Sequence, residues 1–112
     1  MEKKERPKIL LSSSYKVTTG CGNLYIHITY LEDKIPLEVF ATLGKAGGCL
    51  TGQNEALTRA ISIGLRYDIS PREYIKQLKG IQCPNPVMFP PEKRILSCAD
   101  AIGKTLESFI ES

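Results

Sequence analysis

Four cysteines are the residues of this sequence best suited to chemistry. Each lies at the edge of a predicted helix or strand, and the four are Cys21, Cys49, Cys83 and Cys98. Thiolates are ligands for zinc and nucleophiles in disulfide exchange. No pair has the Cys-x-x-Cys spacing of a redox or zinc motif, so three interpretations stay open: a tetrahedral zinc site, thiol redox chemistry, or plain core packing. We favour zinc bound by all four, because four thiolates from different elements can close a structural site.

Cys98 has the strongest local context for a reactive or metal-binding thiol. Ser97, followed three residues later by Asp100, predicts the start of a helix. Cys98 then falls in the first helical turn, where free amides and a partial positive charge favour the thiolate.

A glycine-rich run precedes Cys49 and offers a weak anion site. The run lies between a predicted strand and a predicted helix, and its candidate residues are Lys45, Gly47 and Gly48. Its backbone amides and the Lys45 side chain could bind a phosphate or carboxylate. The Gly-Lys-Ser/Thr ending of a P-loop is absent, so a turn that places Cys49 is the simpler interpretation.

The remaining polar residues have plain structural interpretations. The only histidine, His27, is expected to be a hydrogen-bonded strand residue rather than a base. Five basic residues on two helices, interleaved with Tyr67 and Tyr74, could bind single-stranded nucleic acid weakly but are more typical of solvated surfaces; they are Arg59, Arg66, Arg72, Lys76 and Lys79.

Residue periodicity predicts strands first and helices afterwards. Alternation over residues 24–31 and again over 37–43 predicts an antiparallel hairpin. Helices are predicted over residues 52–67, 70–79 and from Ser97 to the end, while the proline-rich stretch 83–91 should cross the surface as an extended loop. We therefore expect an α+β fold, with a hairpin or small sheet in the N-terminal half packed against about three helices in the C-terminal half.

Length and composition set the limits on organisation and location. The 112 residues suffice for one core, so we expect a basic, flexible tail over residues 1–14 and a single domain over 15–112. A formal charge of only +3 argues against a strong nucleic-acid binder. Because the sequence has no membrane span or secretory pattern, we expect a cytoplasmic protein with no membrane partner. An exposed edge strand in the hairpin could allow a homo-oligomer.

Four segments, taken in order, resemble successive motifs of the TSCPD domain family. They are GCGNLY at residues 20–25, LGKAGGC at 43–49, QLKGI with the following Cys83-Pro84, and SCADAI at 97–102. The Thr-Ser-Cys-Pro-Asp motif that names the family is matched by Ser97, Cys98 and Asp100, with Leu96 in place of Thr and Ala99 in place of Pro.

The resemblance implies an association with adenosylcobalamin-dependent ribonucleotide reductases. In that family the domain follows the catalytic barrel or is a separate small chain, and we expect the latter here. The barrel, its radical cysteine and its cobalamin site have no counterpart in this sequence, so we expect an accessory role beside a reductase chain or related enzyme. A zinc-stapled nucleic-acid-binding module and a thiol redox partner of a reductase are the alternatives.

Overall fold

Three strands and three α-helices form the structure, a computed structural model that describes residues 2–44 and 48–112. In chain order they are β1 (Leu11–Thr19), β2 (Gly22–Tyr30), β3 (Pro36–Leu43), α1 (Gly48–Arg66), α2 (Pro71–Leu78) and α3 (Cys98–Glu111), with a short 3-10 helix at Pro91–Lys93 before α3. The strands make one antiparallel sheet in the order β1-β2-β3. The predicted α+β class, with the sheet preceding three helices, is confirmed.

The sheet buries one face against the helices. Alternate residues of β2, namely Leu24, Ile26 and Ile28, are fully buried, while Tyr25 on the other face is exposed. The helical partners of this face include Ile61, Ile102, Leu106 and Phe109. The predicted hairpin is β2 with β3, and the alternation correctly identified its buried side.

Strand β1 was not among the predicted elements. It pairs along its whole length with β2 through a two-residue turn at Gly20 and Cys21. Gly22, which follows this turn, has a φ of 124°, a backbone conformation that favours glycine. β1 begins inside the predicted tail, and Arg6, upstream of it, pairs with the Glu38 carboxylate at 3.0 Å. The flexibility of residues 1–14 stays a prediction.

Helix α1 begins earlier than predicted, at Gly48 instead of residue 52. It packs beside β3, and its Ser62 hydroxyl accepts from the Val39 amide at 2.9 Å and donates to the Val39 carbonyl at 3.0 Å. These two bonds satisfy backbone groups on the outer edge of β3. A helix therefore covers that edge of the sheet.

A serine side chain caps both α2 and α3, and the cap at Ser97 was predicted from the sequence. Ser70 caps α2 by accepting from the Arg72 amide at 3.3 Å, and Ser97 caps α3 by accepting from the Asp100 amide at 3.0 Å. Between α2 and α3 the proline-rich stretch is a loop, as predicted, with bends, a single bridge between Val87 and Ile95 and the short 3-10 helix at Pro91–Lys93. No helix in the described part of the chain is long and apolar enough to cross a membrane.

Asp100 is a fully buried carboxylate that joins three parts of the chain. It accepts from the Gly80 amide at 2.9 Å, from the Leu96 amide at 2.9 Å and from the Lys104 ammonium at 2.8 Å. Burial raises its pKa, but these three donors outweigh burial and hold the pKa of Asp100 below its ordinary value. The end of α2, the approach to α3 and α3 itself are thereby tied to one side chain.

We expect Asp100→Asn to destabilise the fold by about 2–4 kcal/mol at neutral pH, because it leaves buried donors without a charged acceptor. The carboxylate stabilises the fold fully above its ordinary pKa of 3.8, and this stabilisation is lost as the pH falls through the lower folded-state pKa. The difference between wild type and variant should therefore shrink in acid. Urea unfolding at about pH 7 and about pH 3 measures it.

The exposed turn residue Asp33 supplies the control, since Asp33→Asn should change stability little at either pH. An Asp100→Asn difference that is the same at both pH values would contradict the role given to the carboxylate.

Candidate metal centre

Three of the four cysteines predicted as metal ligands lie near one another at one end of the molecule. Cys21 lies in the β1–β2 turn and Cys98 is the first residue of α3. At the far end of α3 the Phe109 ring lies 5.0 Å from the Tyr30 ring, at the opposite end of β2. Helix α3 thus runs along the sheet and places its N-terminus beside the β1–β2 turn.

Cys83 is brought to the same place by the extended segment before α3. Its amide donates to the Leu96 carbonyl at 2.9 Å, next to the Leu96 amide that Asp100 holds. The Ser97 hydroxyl donates to the Ile81 carbonyl at 2.6 Å, which fixes the segment again. Cys83 therefore depends on the Asp100 network for its position.

The segment around Cys83 also binds the β1–β2 turn directly. The Asn85 side-chain amide donates to the Gly20 carbonyl at 2.6 Å, and the Asn85 backbone amide donates to the Cys83 thiol sulfur at 3.4 Å. A Cβ at Gly20 would overlap the Asn85 carbonyl. Glycine at position 20 is what allows the two segments to approach, and with them Cys21 and Cys83.

The Cys21 thiol is influenced by both of the other cysteines of this cluster. Burial raises the pKa of Cys21, and the negative charges of Cys98 and Cys83, together with a hydrogen bond to Cys83, raise it further. A negative charge on Cys83 or Cys98 therefore makes the deprotonation of Cys21 less favourable. The three residues form what we call the thiol cluster: Cys21, Cys83 and Cys98.

Cys49 and the glycine-rich run are placed only in part. Cys49 is the exposed second residue of α1. The Gly44 amide donates to the Asn23 carbonyl at 2.9 Å, so the chain leaves β3 beside the β1–β2 turn before α1 begins. Of the anion-site candidates, Lys45 and Gly47 lie outside the described residues, and Gly48 is the first residue of α1 with a φ of 67°.

The four cysteines are free thiols. In residues 2–44 and 48–112, no group of three or more His, Cys, Asp and Glu side chains is arranged to hold a metal ion. The thiol cluster is thus a gathering of soft donors without a closed ligand set, and the zinc site predicted from sequence stays a prediction. Chemically, such a cluster can bind a soft or borderline cation or form a disulfide.

The histidine considered in the sequence analysis makes a structural hydrogen bond. His27 has its expected hydrogen bond, with its Nδ1 2.8 Å from the Ser14 hydroxyl across the β1–β2 ladder. The sequence did not indicate that a serine would approach this ring. Sequence reasoning also missed Gly20 and Asn85, whose one signal was their position within two residues of a cysteine in turn-forming sequence.

Gly20→Ala should push the Asn85 segment away from the β1–β2 turn and separate Cys83 from Cys21. With those influences weakened, the pKa of Cys21 should fall and its alkylation by iodoacetamide near neutral pH should accelerate. Peptide mapping of the alkylation rate against pH measures this. Gly52→Ala is the matched control, since a Cβ there meets open space; equal Cys21 rates in the Gly20→Ala variant and wild type would contradict the geometry.

Comparisons with known proteins agree with the motifs. No curated protein and no solved structure matches the chain. The family model of the TSCPD domain matches residues 2–110, which is nearly the whole sequence and includes every strand and helix described above except the last residue of α3. The chain belongs to the TSCPD domain family.

Proposed function

We propose that this TSCPD domain is an accessory domain of an adenosylcobalamin-dependent ribonucleotide reductase, and that it carries a structural zinc bound by Cys21, Cys49, Cys83 and Cys98. Family membership supports the association with the reductase. The observation that carries the zinc proposal is the meeting of three cysteines, from a hairpin turn, a loop and a helix start, at one end of the fold.

A divalent cation would remove the repulsion within the thiol cluster. Without one, burial raises the pKa of Cys21, and the negative charges of Cys98 and Cys83 raise it further. Zinc binds deprotonated thiols, so binding would release protons and join the β1–β2 turn, the loop and α3 by covalent ligation. Cys49 is the fourth proposed ligand because β3 ends beside the same turn.

The raised pKa of Cys21 makes thiol exchange a weaker second candidate. Its contact with Cys83 places two thiols together, which is a condition for a disulfide. However, the thiolate is the attacking species, and a raised pKa reduces its population at neutral pH. The raised pKa therefore counts against Cys21 as the nucleophile that starts an exchange reaction.

The nucleic-acid alternative is disfavoured by the partners of the basic residues. Arg59 pairs with Glu55, Arg72 with Glu111, and Lys79 with Glu107 at 2.7 Å. The Tyr74 ring packs against Gly64 of α1, where any Cβ would overlap its hydroxyl. These contacts reduce the free positive charge and the aromatic surface on which single-strand binding depends.

The zinc proposal is tested by metal stoichiometry on fully reduced protein. We expect one zinc per chain, with Cys21→Ser, Cys83→Ser, Cys98→Ser and Cys49→Ser each weakening binding at least about tenfold, because each removes one ligand. Competition with a chromogenic chelator measures affinity, and cobalt substitution reports thiolate ligation by its charge-transfer absorption. Gly52→Ala should bind zinc like wild type.

Circular dichroism separates lost ligands from lost fold in each variant. Zinc bound as tightly by Cys21→Ser and Cys83→Ser as by wild type would refute the site. A protein without metal that forms a Cys21–Cys83 disulfide under mild oxidation would instead support the redox candidate.

Association with the reductase is tested by calorimetric titration of this chain with the catalytic chain of an adenosylcobalamin-dependent ribonucleotide reductase. We expect saturable binding in the micromolar range or tighter, weakened when a chelator removes zinc. Bovine serum albumin serves as the non-specific control. Binding that is no tighter to the reductase than to albumin would contradict the accessory role.

A further inference from the structure

The two edges of the sheet differ in whether their backbone groups have hydrogen-bond partners. On the β3 side, Ser62 of α1 bonds both the amide and the carbonyl of Val39. On the β1 side, no strand of the described residues pairs with the outer edge. An edge strand of nine residues with open backbone groups is a template for another strand.

The residues whose backbone groups point outward follow from the ladder. Because the Asn23 carbonyl bonds Gly44 on the β3 side, the next residue, Leu24, turns its backbone groups toward Val17 of β1. Val17 thus bonds inward, and alternation turns its neighbours outward. The outward residues of β1 are Ser12, Ser14, Lys16 and Thr18.

β1 has few of the features that block edge pairing. Its sequence, LSSSYKVTT, contains no proline and has Lys16 as its single charged residue. Its ladder with β2 runs without a register shift from Leu11 to Thr19. The edge is therefore regular and nearly neutral along its length.

The two ends of β1 have complementary surfaces. Near its C-terminal end a groove of about 520 Å³ is lined by Val17, Phe89 and Ile95, and Phe89 is 80% exposed. At the N-terminal end Leu11 is 51% exposed. Leu11 and Val17 are separated by an even number of positions and so share one face of the sheet.

We propose that this edge pairs with a second copy of the chain, β1 against β1 in antiparallel orientation, about a two-fold axis at Ser14. In that register Leu11 lies opposite the partner's Val17, over the groove that Phe89 and Ile95 line. The contact occurs twice by symmetry, so the exposed Leu11 and the groove beside Val17 are both covered on each copy. The result is a continuous six-stranded sheet.

Charge is compatible with this register. Lys16 lies opposite the partner's Ser12, which keeps the two lysines off the axis and beside hydroxyl groups. The outward backbone groups of Ser14 face those of the partner's Ser14 and exchange two hydrogen bonds there. A two-fold pairing therefore satisfies the open edge without placing like charges opposite each other.

Sedimentation equilibrium on the full chain tests the proposal, with Leu11→Lys as the disrupting variant. The new lysine would lie over the partner's groove, which Lys93 also lines, so two positive charges would be brought together. We expect wild type to dimerise and Leu11→Lys to raise the dimer dissociation constant at least about tenfold. Ile63→Lys is the matched control, because Ile63 is a similarly exposed residue, 44%, on α1.

Hydrogen exchange locates the interface independently of the variants. The amides of Ser12, Ser14 and Lys16, which face the partner strand in this register, should exchange at least about tenfold more slowly at dimer than at monomer concentrations. A chain that stays monomeric up to about 1 mM overturns the proposal and leaves the edge to a strand from another protein. A dimer that Leu11→Lys leaves intact, or whose β1 amides are unprotected, overturns it equally.

Discussion

The buried carboxylate of Asp100 is the constraint on which the cysteine end of the fold depends. A charge without contact with water is costly unless donors surround it, and here two backbone amides and Lys104 do so. Those amides belong to Gly80 and Leu96, which bracket the extended segment. Because Leu96 in turn accepts from the Cys83 amide, one side chain sets the position of Cys83 relative to Cys98.

Close approaches at glycines complete the arrangement. Gly20 lets Asn85 reach the β1–β2 turn, and Gly64 lets the Tyr74 ring of α2 lie against α1. Burial raises the pKa of Tyr74, as expected for a phenol enclosed in this way. Contacts between backbone and small residues thus hold the sheet, the loop and the helices together in addition to the apolar core. The contact between Gly20 and Asn85 sets the position of Cys21 relative to Cys83 in the thiol cluster.

The sequence was informative where residues alternate or cap, and uninformative where distant segments meet. β2 and β3 carry strong alternation, and Ser70 and Ser97 mark helix starts, so these elements were predictable. β1 was missed because its serine-rich stretch has few apolar residues, and of these Leu11 is exposed and Tyr15 and Val17 are only half-buried. The meeting of Cys21 with Cys83 was a hypothesis at best, since it depends on bonds between residues 20 and 85 that leave no periodic signal.

Each matched residue of the family motif has a distinct place in the structure. Ser97 caps α3 and holds the Ile81 carbonyl, Asp100 organises the extended segment, and Cys98 between them lies in the thiol cluster. Proline is favoured in a first helical turn because amides there have no partner within the helix. Ala99 occupies that turn, and no capping bond described above uses its amide. The exchange of proline for alanine therefore keeps the bonds that position Cys98, so this departure from the family motif does not disturb the start of α3.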